Sequence, residues 1–579
     1  MLLAHADALA EISSFTPFLA LLSGYAVIVA LLTVFGRPGT RGPVLGRFLL
    51  RIPDALERAT GVPGWAAAAV GTSLFAVAVA GVGFYDDVAW HIALGRDKEL
   101  FTAPHTGIVV GLALIPFAGA VGVLFATLQR ADVGFRLGKL RVPWSCLALG
   151  VLGVTALSGF PLDDLWHARY GIDVTMWSPT HMIMILGASL TPLAAWLALG
   201  EAGARPDRRR ATHAVHVFAA VLTVQGLSAS QGEFVFGVPQ FQQLYLPVLV
   251  SIAAAFAMVA SRLVLGRGGA LEVAVINLVV SFTIFQDRGP LDIKETGLYV
   301  ASALAVEAAA LSVGTASRLR FAAVAGIGVG TIGLAGEWAL NTRAFQPWTT
   351  DLLPEAVILA TLAGIGAAVL AAAFAGGVVT TAPRMSGRLA AVGAVAVLVA
   401  LAVPFPRNVG DVTADIRFVP RGDRADLEVV LDPPDAADDV RWFQVMTWQG
   451  GGHEALDLQE AGAGRWVLAS AVPLTGPGKT VLRLHRGDEL MAVPLRFPAD
   501  PEIGEPAIEP VSRRAAFEPE TRYLLREQRP GAQGFAYVVY GLDVLILLSW
   551  SAALVLAVRR PATAVTDRAG ASPDRAIVS

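Results

Sequence analysis

Long apolar stretches recur along the chain at a length that matches the thickness of a lipid bilayer. A helix crosses the hydrocarbon core with about 20 predominantly apolar residues, and about thirteen stretches meet that requirement. They lie near residues 15–35, 65–84, 106–128, 144–160, 182–200, 214–231, 244–261, 270–286, 297–315, 321–338, 355–376, 389–404 and 535–557. Several are rich in glycine and alanine, which favours close helix packing in lipid. The sequence therefore predicts an all-α polytopic membrane protein.

The low content of charged residues supports this prediction. Only 16% of the 579 residues are charged, whereas soluble domains carry about 25%, so most of the surface is expected to face lipid. The net charge of -3 and the lack of a long basic run give no indication of nucleic-acid binding. The first residues lack the basic region of a signal peptide, so we expect the first apolar stretch to be retained as a span.

The distribution of arginine and lysine predicts the orientation of the spans. Cytoplasmic loops carry an excess of these residues, and with thirteen spans all seven basic segments fall on one side of the membrane. These segments lie within residues 37–58, 130–141, 208–210, 262–267, 318–320, 384–388 and 559–560. We therefore expect a plasma or inner membrane protein with an extracytoplasmic N-terminus. The tail over 561–579 is expected to be cytoplasmic and disordered.

Residues 405–530 differ in composition from the rest of the chain. Short alternating runs, such as 426–431 and 480–485, are bounded by proline, glycine and aspartate, a pattern typical of a small β-sandwich. The predicted topology places this domain outside the cytoplasm, where we expect a structural or partner-docking role. It follows a helical domain over 1–404 and precedes a final transmembrane helix within 531–560.

Two segments on the predicted outer side align without a gap, 76 residues apart. The residues that they share are aspartate, tryptophan, histidine, glycine, aspartate and histidine, in that order. The first copy contains Asp87, Trp90, His91, Gly95, Asp97 and His105. The second copy contains Asp163, Trp166, His167, Gly171, Asp173 and His181. Such a repeat indicates a duplicated unit, with both copies facing the same compartment.

The spacing within each copy brings one carboxylate and two imidazoles together. Asp87 and His91 are four residues apart and share a helix face, and His105 follows a proline at the start of the next span. With Cys146 as the single cysteine, thiolate-rich metal sites are excluded. The ligand type suits copper, zinc or non-haem iron. The predicted metal ligands are Asp87, His91, His105, Asp163, His167 and His181.

Other residues of the repeat are expected to support these ligands. Asp97 and Asp173 are placed to accept hydrogen bonds from ligating imidazoles. Trp90 and Trp166 either cover the site or lie at the membrane interface. The repeat is compatible with two mononuclear centres or one binuclear centre. The alternative without a metal is a hydrogen-bonded structural lock or a proton relay.

Residues 86–105 and 162–181 resemble the metal-site segments of the C subunit of copper membrane monooxygenases, the particulate methane, ammonia and hydrocarbon monooxygenases. The resemblance covers roughly residues 65–200. It implies copper, bound by an Asp-His-His set that matches the first copy and an Asn-His-His set that matches the second, with Asp163 in place of asparagine. The family subunit is much shorter, works with two other subunits and has no fused β domain of this kind.

Three functions are compatible with these features. The first is an oxidoreductase in which copper at the outer face activates O2 to oxidise a small apolar substrate. The second is a copper-binding or delivery protein for oxidase assembly, although the eight methionines do not cluster as a relay would require. The third is a transporter or structural subunit. The expected partners are membrane lipid, other membrane subunits or an electron donor, and a small-molecule substrate if the protein is an enzyme.

Some polar residues outside the repeat are expected to have structural roles. Glu337, Asn341 and Glu355 reproduce the spacing of the motif without histidines, which indicates a vestigial repeat or a helix cap. His213 and His216 have no carboxylate partner in the pattern and are expected to be interfacial. The outer loop over 233–243 is expected to close over the motif face.

Overall fold

The computed structural model describes most of the chain. The described residues are 16–36, 43–95, 102–171, 175–235, 238–285, 297–342, 347–379, 385–405, 410–450, 452–501, 503–526, 528, 531 and 533–559. Three predictions fall outside them: the tail over 561–579 and the roles of Asp97 and Asp173.

Most of the described chain is helical. The helices are α1 Thr16–Gly36, α2 Pro43–Leu49, α3 Arg51–Thr60, α4 Gly64–Leu94, α5 Ala103–Leu128, α6 Trp144–Tyr170, α7 Pro179–Glu201, α8 Arg210–Ser228, α9 Gly232–Val235, α10 Tyr245–Leu265, α11 Gly269–Phe285, α12 Val300–Val313, α13 Arg318–Gly328, α14 Leu334–Asn341, α15 Leu353–Val378, α16 Gly387–Ala402, α17 Thr521–Leu524 and α18 Gln533–Arg559. Ten helical segments of the described chain are long and apolar enough to cross a membrane, and α11, α12 and α16 are shorter apolar helices. This number indicates a multi-pass membrane protein, as predicted.

The basic segments contain short elements that the sequence did not predict. The segment after α1 forms the short helices α2 and α3. The segment between α5 and α6 contains an antiparallel hairpin of β1 Phe135–Leu137 and β2 Leu140–Val142. Contacts join the basic segments at one end of the helical bundle, where Arg209 Nη1 donates to Arg58 O over 3.4 Å.

Two histidines near this end have defined partners. His213 Nε2 lies 2.9 Å from a carboxylate oxygen of Glu272, so the expectation that it has no carboxylate partner was wrong. The reason is that Glu272 belongs to α11, and sequence spacing does not reveal a contact between separate helices. His216 is fully buried, where it accepts from Trp196 Nε1 and donates to the carbonyl oxygen of Ala204.

The C-terminal half contains a β-rich region made of two five-stranded antiparallel sheets. Its strands are β3 Thr413–Arg421, β4 Arg424–Asp432, β5 Val440–Trp448, β6 Glu454–Asp457, β7 Gln459–Gly462, β8 Arg465–Pro473, β9 Lys479–Arg486, β10 Glu489–Arg496, β11 Arg513–Ala516 and β12 Glu518–Pro519. The strand orders are β12-β10-β9-β5-β6 and β11-β3-β4-β8-β7. Alternate residues of both sheets, such as Val429 of β4 and Leu482 of β9, share one hydrophobic core, which is the packing of a β-sandwich.

This β-sandwich packs directly on the helices. Tyr85, Ala89 and Ile92 of α4 share a buried cluster with Met446 and Trp448 of β5. The backbone N–H of Gln449 donates to Ile92 O over 2.8 Å, which satisfies a carbonyl in the last turn of α4. The β-sandwich therefore covers the end of the bundle at which α4 finishes, and this is the end that carries the repeated motif.

Candidate metal centre

The first copy of the motif lies where α4 ends and α5 begins. Gly95 has a φ of 90°, a conformation that favours glycine, and its N–H bonds to His91 O at the end of α4. Thr102 caps α5 by accepting from the N–H of His105 over 3.4 Å. Asp87 Oδ1 consequently lies 3.1 Å from His105 Nε2 and 3.6 Å from His91 Nε2.

The second copy has the same construction at the junction of α6 and α7. Gly171 has a φ of 89° and bonds to His167 O, and Ser178 accepts from the N–H of His181 over 3.4 Å. Asp163 Oδ2 lies 3.3 Å from His181 Nε2 and 3.6 Å from His167 Nε2. In each copy, the shared spacing thus corresponds to the end of one helix, the capped start of the next helix and one Asp-His-His cluster.

The donor atoms of each set are spaced as metal ligands are. In both sets the three atoms lie within 4.8 Å of one another. Ligands about 2.1 Å from a tetrahedral metal are about 3.4 Å apart, close to the distances between each carboxylate and its imidazoles. Two imidazoles and one carboxylate suit copper, zinc or non-haem iron. The residues therefore fit a transition-metal ion.

Further hydrogen bonds orient the second set. His181 Nδ1 lies 2.5 Å from Thr175 O, so the ring donates to this carbonyl and presents Nε2 to Asp163. Thr180 Oγ1 donates to Asp163 Oδ1 over 2.5 Å. Supports of this kind fix the tautomer and the orientation of metal ligands. Sequence analysis missed both threonines, because their roles depend on the fold of the loop.

Both sets line one partly open cavity of about 430 Å³. Most other lining residues are apolar and come from α4 to α8, among them Val77, Ile108, Leu112, Phe160, Met184 and Leu222. The β-sandwich contributes Trp448 and Gln449, and Glu233 lies in the lining as well. The expected closure of loop 233–243 over the motif face agrees with the position of Glu233 and Gln240 in this lining.

The two repeated tryptophans have different surroundings. Trp166 is buried against Tyr170 and Phe535, with its ring centroid 4.3 Å from that of Tyr170. Trp90 is 41% exposed on the helical surface. Among the described residues that line the cavity, neither tryptophan is present. An interfacial position for Trp90 and a packing role for Trp166 fit these contacts better than a cover over the metal set.

Close helix packing beneath each set depends on a glycine four residues before the aspartate. A Cβ on Gly83 would lie 2.8 Å from Ile108 N, and one on Gly159 would lie 2.6 Å from Met184 Cγ. These glycines are also 76 residues apart, as are Gly111 and Gly187. The repeat thus extends beyond the metal-ligand motif, a signal that sequence analysis overlooked.

The degenerate third motif does not form a cluster. Glu337 accepts from the backbone N–H of Tyr299 over 2.6 Å and so caps the start of α12. Asn341 Oδ1 accepts from a backbone N–H of the following loop. Glu355 pairs with Arg441 of the β-sandwich at 3.3 Å. Among the described residues these three side chains have separate structural partners, in line with the helix-cap interpretation.

Fold and site together define a multi-pass membrane protein with two clusters that could hold a metal ion. Comparison with known proteins finds no matching family model, no matching curated protein and no matching solved structure.

Proposed function

We propose that this chain is a membrane metalloprotein whose two Asp-His-His sets bind copper and support the O2-dependent oxidation of a small apolar molecule. The observation that carries this proposal is the shared cavity. Six ligating side chains from four helices line one largely apolar space of about 430 Å³. Cavities of this kind suit small apolar ligands held by few polar groups.

In this proposal the two Asp-His-His sets bind the metal and the apolar lining binds the substrate. Each set would hold its ion through one carboxylate and two imidazoles, and bound copper would supply the redox chemistry for O2 activation. The apolar lining would bind and orient the substrate beside the ligands. Trp448 and Gln449 of the β-sandwich complete the lining on one side of the cavity.

The resemblance of residues 65–200 to the copper membrane monooxygenase subunit favours copper over zinc and iron in this proposal. Asp163 at the asparagine position of that family adds a second anionic set, which favours tight binding of a cation. The ligand types equally suit zinc and non-haem iron, so metal analysis comes first.

The proposed topology has thirteen spans, made of ten long and three shorter apolar helices, with the N-terminus outside the cytoplasm. It includes two tandem helical hairpins, α4–α5 and α6–α7, related by the 76-residue repeat. The matching caps, positive-φ glycines and interhelical glycines of the two hairpins support this arrangement. The contact between basic segments at the end opposite the β-sandwich supports the orientation.

Metal analysis of the protein purified in mild detergent tests the metal proposal. Independent sites predict that His91→Ala and His167→Ala each remove about half of the bound copper and that the double variant removes nearly all. A shared binuclear centre predicts nearly complete loss with either change. His213→Ala is the matched control, because His213 also pairs with a carboxylate but lies outside both sets. Wild-type copper content in the double variant would contradict the proposal.

Oxygen uptake by membranes supplied with a reductant tests the catalytic part. Copper-dependent uptake is expected with short hydrocarbons rather than with the polar alcohols or ammonia, and the double histidine variant should abolish it. Full copper loading without uptake, combined with transfer of copper to an apo-oxidase subunit, would replace the oxidase proposal by copper delivery.

A further inference from the structure

Residues 238–244, the segment that leads into α10, are joined to the second metal set by hydrogen bonds through Thr175. His181 Nδ1 donates to the carbonyl oxygen of Thr175 over 2.5 Å. The hydroxyl of the same threonine donates to Gln240 Oε1 over 2.8 Å. It also accepts from the N–H of Trp177. The orientation of the His181 ring therefore depends on a threonine that Gln240 holds in place.

Glu233 is hydrogen-bonded to the backbone of this segment. Its Oε1 accepts from the backbone N–H groups of Gln240 and Phe241, the latter over 2.8 Å. The side chain is only 5% exposed and lines the cavity. Burying a carboxylate is unfavourable unless hydrogen bonds or charges compensate. The two backbone N–H groups supply part of that compensation. The same two hydrogen bonds fix the backbone of Gln240 and Phe241 relative to Glu233.

The β-sandwich holds the same segment from the other side. Arg483 of β9 donates from Nη2 to Pro239 O over 2.8 Å. Its guanidinium also pairs with Glu520, and both side chains are essentially fully buried. Residues 239–241 are thus hydrogen-bonded both to the Glu233 side chain of the helical domain and to the Arg483 guanidinium of the β-sandwich.

We infer that Glu233 is a positioning residue for the second metal set. It acts through Gln240 and Thr175 on the ring of His181, and Arg483 extends the path into the β-sandwich. The hydrogen bonds of this path lead to the second set, so the first set should be insensitive to Glu233. This inference rests on the proposed function, because it assigns the second set a metal to be positioned.

The test compares two full-length backgrounds, His91→Ala, which leaves the second set, and His167→Ala, which leaves the first. In the first background Glu233→Ala should weaken Cu(II) binding several-fold, less than the about 10- to 100-fold loss for a direct partner of a ligand, and change the Cu(II) electron paramagnetic resonance spectrum. In the second background both readouts should stay unchanged. Glu233→Gln should restore most of the affinity, because its amide oxygen still accepts from both N–H groups.

Gln240→Met provides a milder second variant. It leaves the backbone donors to Glu233 intact and removes only the acceptor for Thr175, so it should reproduce the weakening at the second set. Equal effects of Glu233→Ala on the two backgrounds, or no effect of either variant on the second, would overturn the inference.

Hydrogen–deuterium exchange separates failure of this inference from failure of the proposed function. In the metal-free protein Glu233→Ala should speed exchange in residues 175–181 and leave residues 102–105 unchanged. The two segments carry matched cap hydrogen bonds of 3.4 Å. Faster exchange at 175–181 without copper binding in either background would support the positioning role and refute the metal proposal. Unchanged exchange at 175–181 would refute the positioning role itself.

Discussion

Asp87 and Asp163 occupy equivalent positions but differ in one neighbour. Thr180 donates a hydrogen bond to the Asp163 carboxylate, whereas the equivalent position in the first copy is Pro104, which has no donor. Thr180 is fully buried, so water does not compete for this hydrogen bond. The second set is therefore the more firmly oriented of the two at its carboxylate.

Removing the Thr180 hydroxyl should weaken the second set selectively. A hydrogen bond to a charged group contributes about 1.5–3 kcal/mol, and only part of that is expressed as metal affinity. We expect Thr180→Val to lower Cu(II) affinity several-fold in the His91→Ala background, measured by competition with a chelator. Thr180→Ser keeps the hydroxyl and should bind normally. Equal affinities of the valine and serine variants would contradict the role assigned to this hydrogen bond.

The grouping of the six Asp and His residues into two clusters could be predicted, because the repeat marks them in the sequence. Thr175, Glu233 and Gln240 could not, because their contacts depend on how the loops before α7 and α10 fold, and Thr175 and Gln240 are 65 residues apart in the chain. Their residue types occur at many other positions without such a role. A local pattern therefore identifies the residues of each cluster, and only the fold identifies the residues that orient them.

At the level of elements, the two helices of each hairpin pack closely because a glycine lies at their contact. The nearest atoms to a Cβ on Gly83 belong to the backbone, with Ile108 N at 2.8 Å and Pro104 O at 2.9 Å. At Gly159 the nearest atom is the flexible side chain of Met184, at 2.6 Å. Backbone atoms of a packed helix move less readily than a flexible methionine side chain, in which rotation about the Cα–Cβ bond moves Cγ.

This difference predicts unequal effects of two equivalent substitutions. Gly83→Ala should force α4 and α5 apart, lowering the melting temperature and the copper content of the first set. Gly159→Ala should have a smaller effect on the second set, because Met184 can adopt another rotamer. Thermal unfolding in detergent and metal analysis of both variants provide the check. A larger loss with Gly159→Ala would show that the interhelical contact does not control the set.

Helix boundaries show why hydropathy gave only part of each element. The run predicted over 65–84 corresponds to α4, which continues to Leu94, because the aspartate and histidine turns are polar but still helical. The prediction of 144–160 likewise stops short of α6, which ends at Tyr170. Apolar length marks the portion that faces lipid, whereas glycine and cap residues mark where the helix ends.

For the whole molecule, the β-rich region was predictable from its alternating runs, but its position was not. Its contact with α4 depends on residues such as Met446 and Ile92, which are far apart in sequence. Hydrophobic periodicity in the sequence does not indicate a contact between distant segments. The result is a cavity built jointly by the membrane helices and the β-sandwich.

Cysteine labelling tests the proposed orientation. In a Cys146→Ala background, Asp423→Cys should react with an impermeant reagent in intact cells, because Asp423 is exposed in the turn between β3 and β4. Arg208→Cys, exposed in a basic segment, should react only after permeabilisation. Labelling of the Arg208 position in intact cells would place the metal sets on the cytoplasmic side.

The β-sandwich should lose stability as the pH falls. Burial lowers the pKa of His485 and lowers that of His453 to about 4. Burial alone would raise the pKa of Glu520, but Arg483 and His485 hold it below its ordinary value. All three groups bind fewer protons when folded, so the free energy of unfolding decreases below about pH 6.5 for the histidines and below about pH 4.5 for Glu520.

Hydrogen–deuterium exchange of β9 at several pH values measures this dependence. Exchange corrected for its intrinsic pH dependence should rise from about pH 7 to about pH 5 in the wild type. His485→Gln and His453→Gln should each flatten the rise, and the double variant should flatten it most. A wild-type profile in the double variant would show that these histidines do not control acid sensitivity.

The order of segments along the chain has a consequence for biogenesis. The ribosome completes both histidine-aspartate clusters, within residues 87–181, well before it synthesises Trp448 and Gln449, which line the same cavity. Until the late strands dock, the nascent cavity lacks its cover. If the clusters bind the proposed metal, its insertion is therefore expected to accompany synthesis and to precede docking, and later exchange of the ion should be slower. Cells that starve for the metal during synthesis should accumulate apoprotein that later supplementation restores poorly.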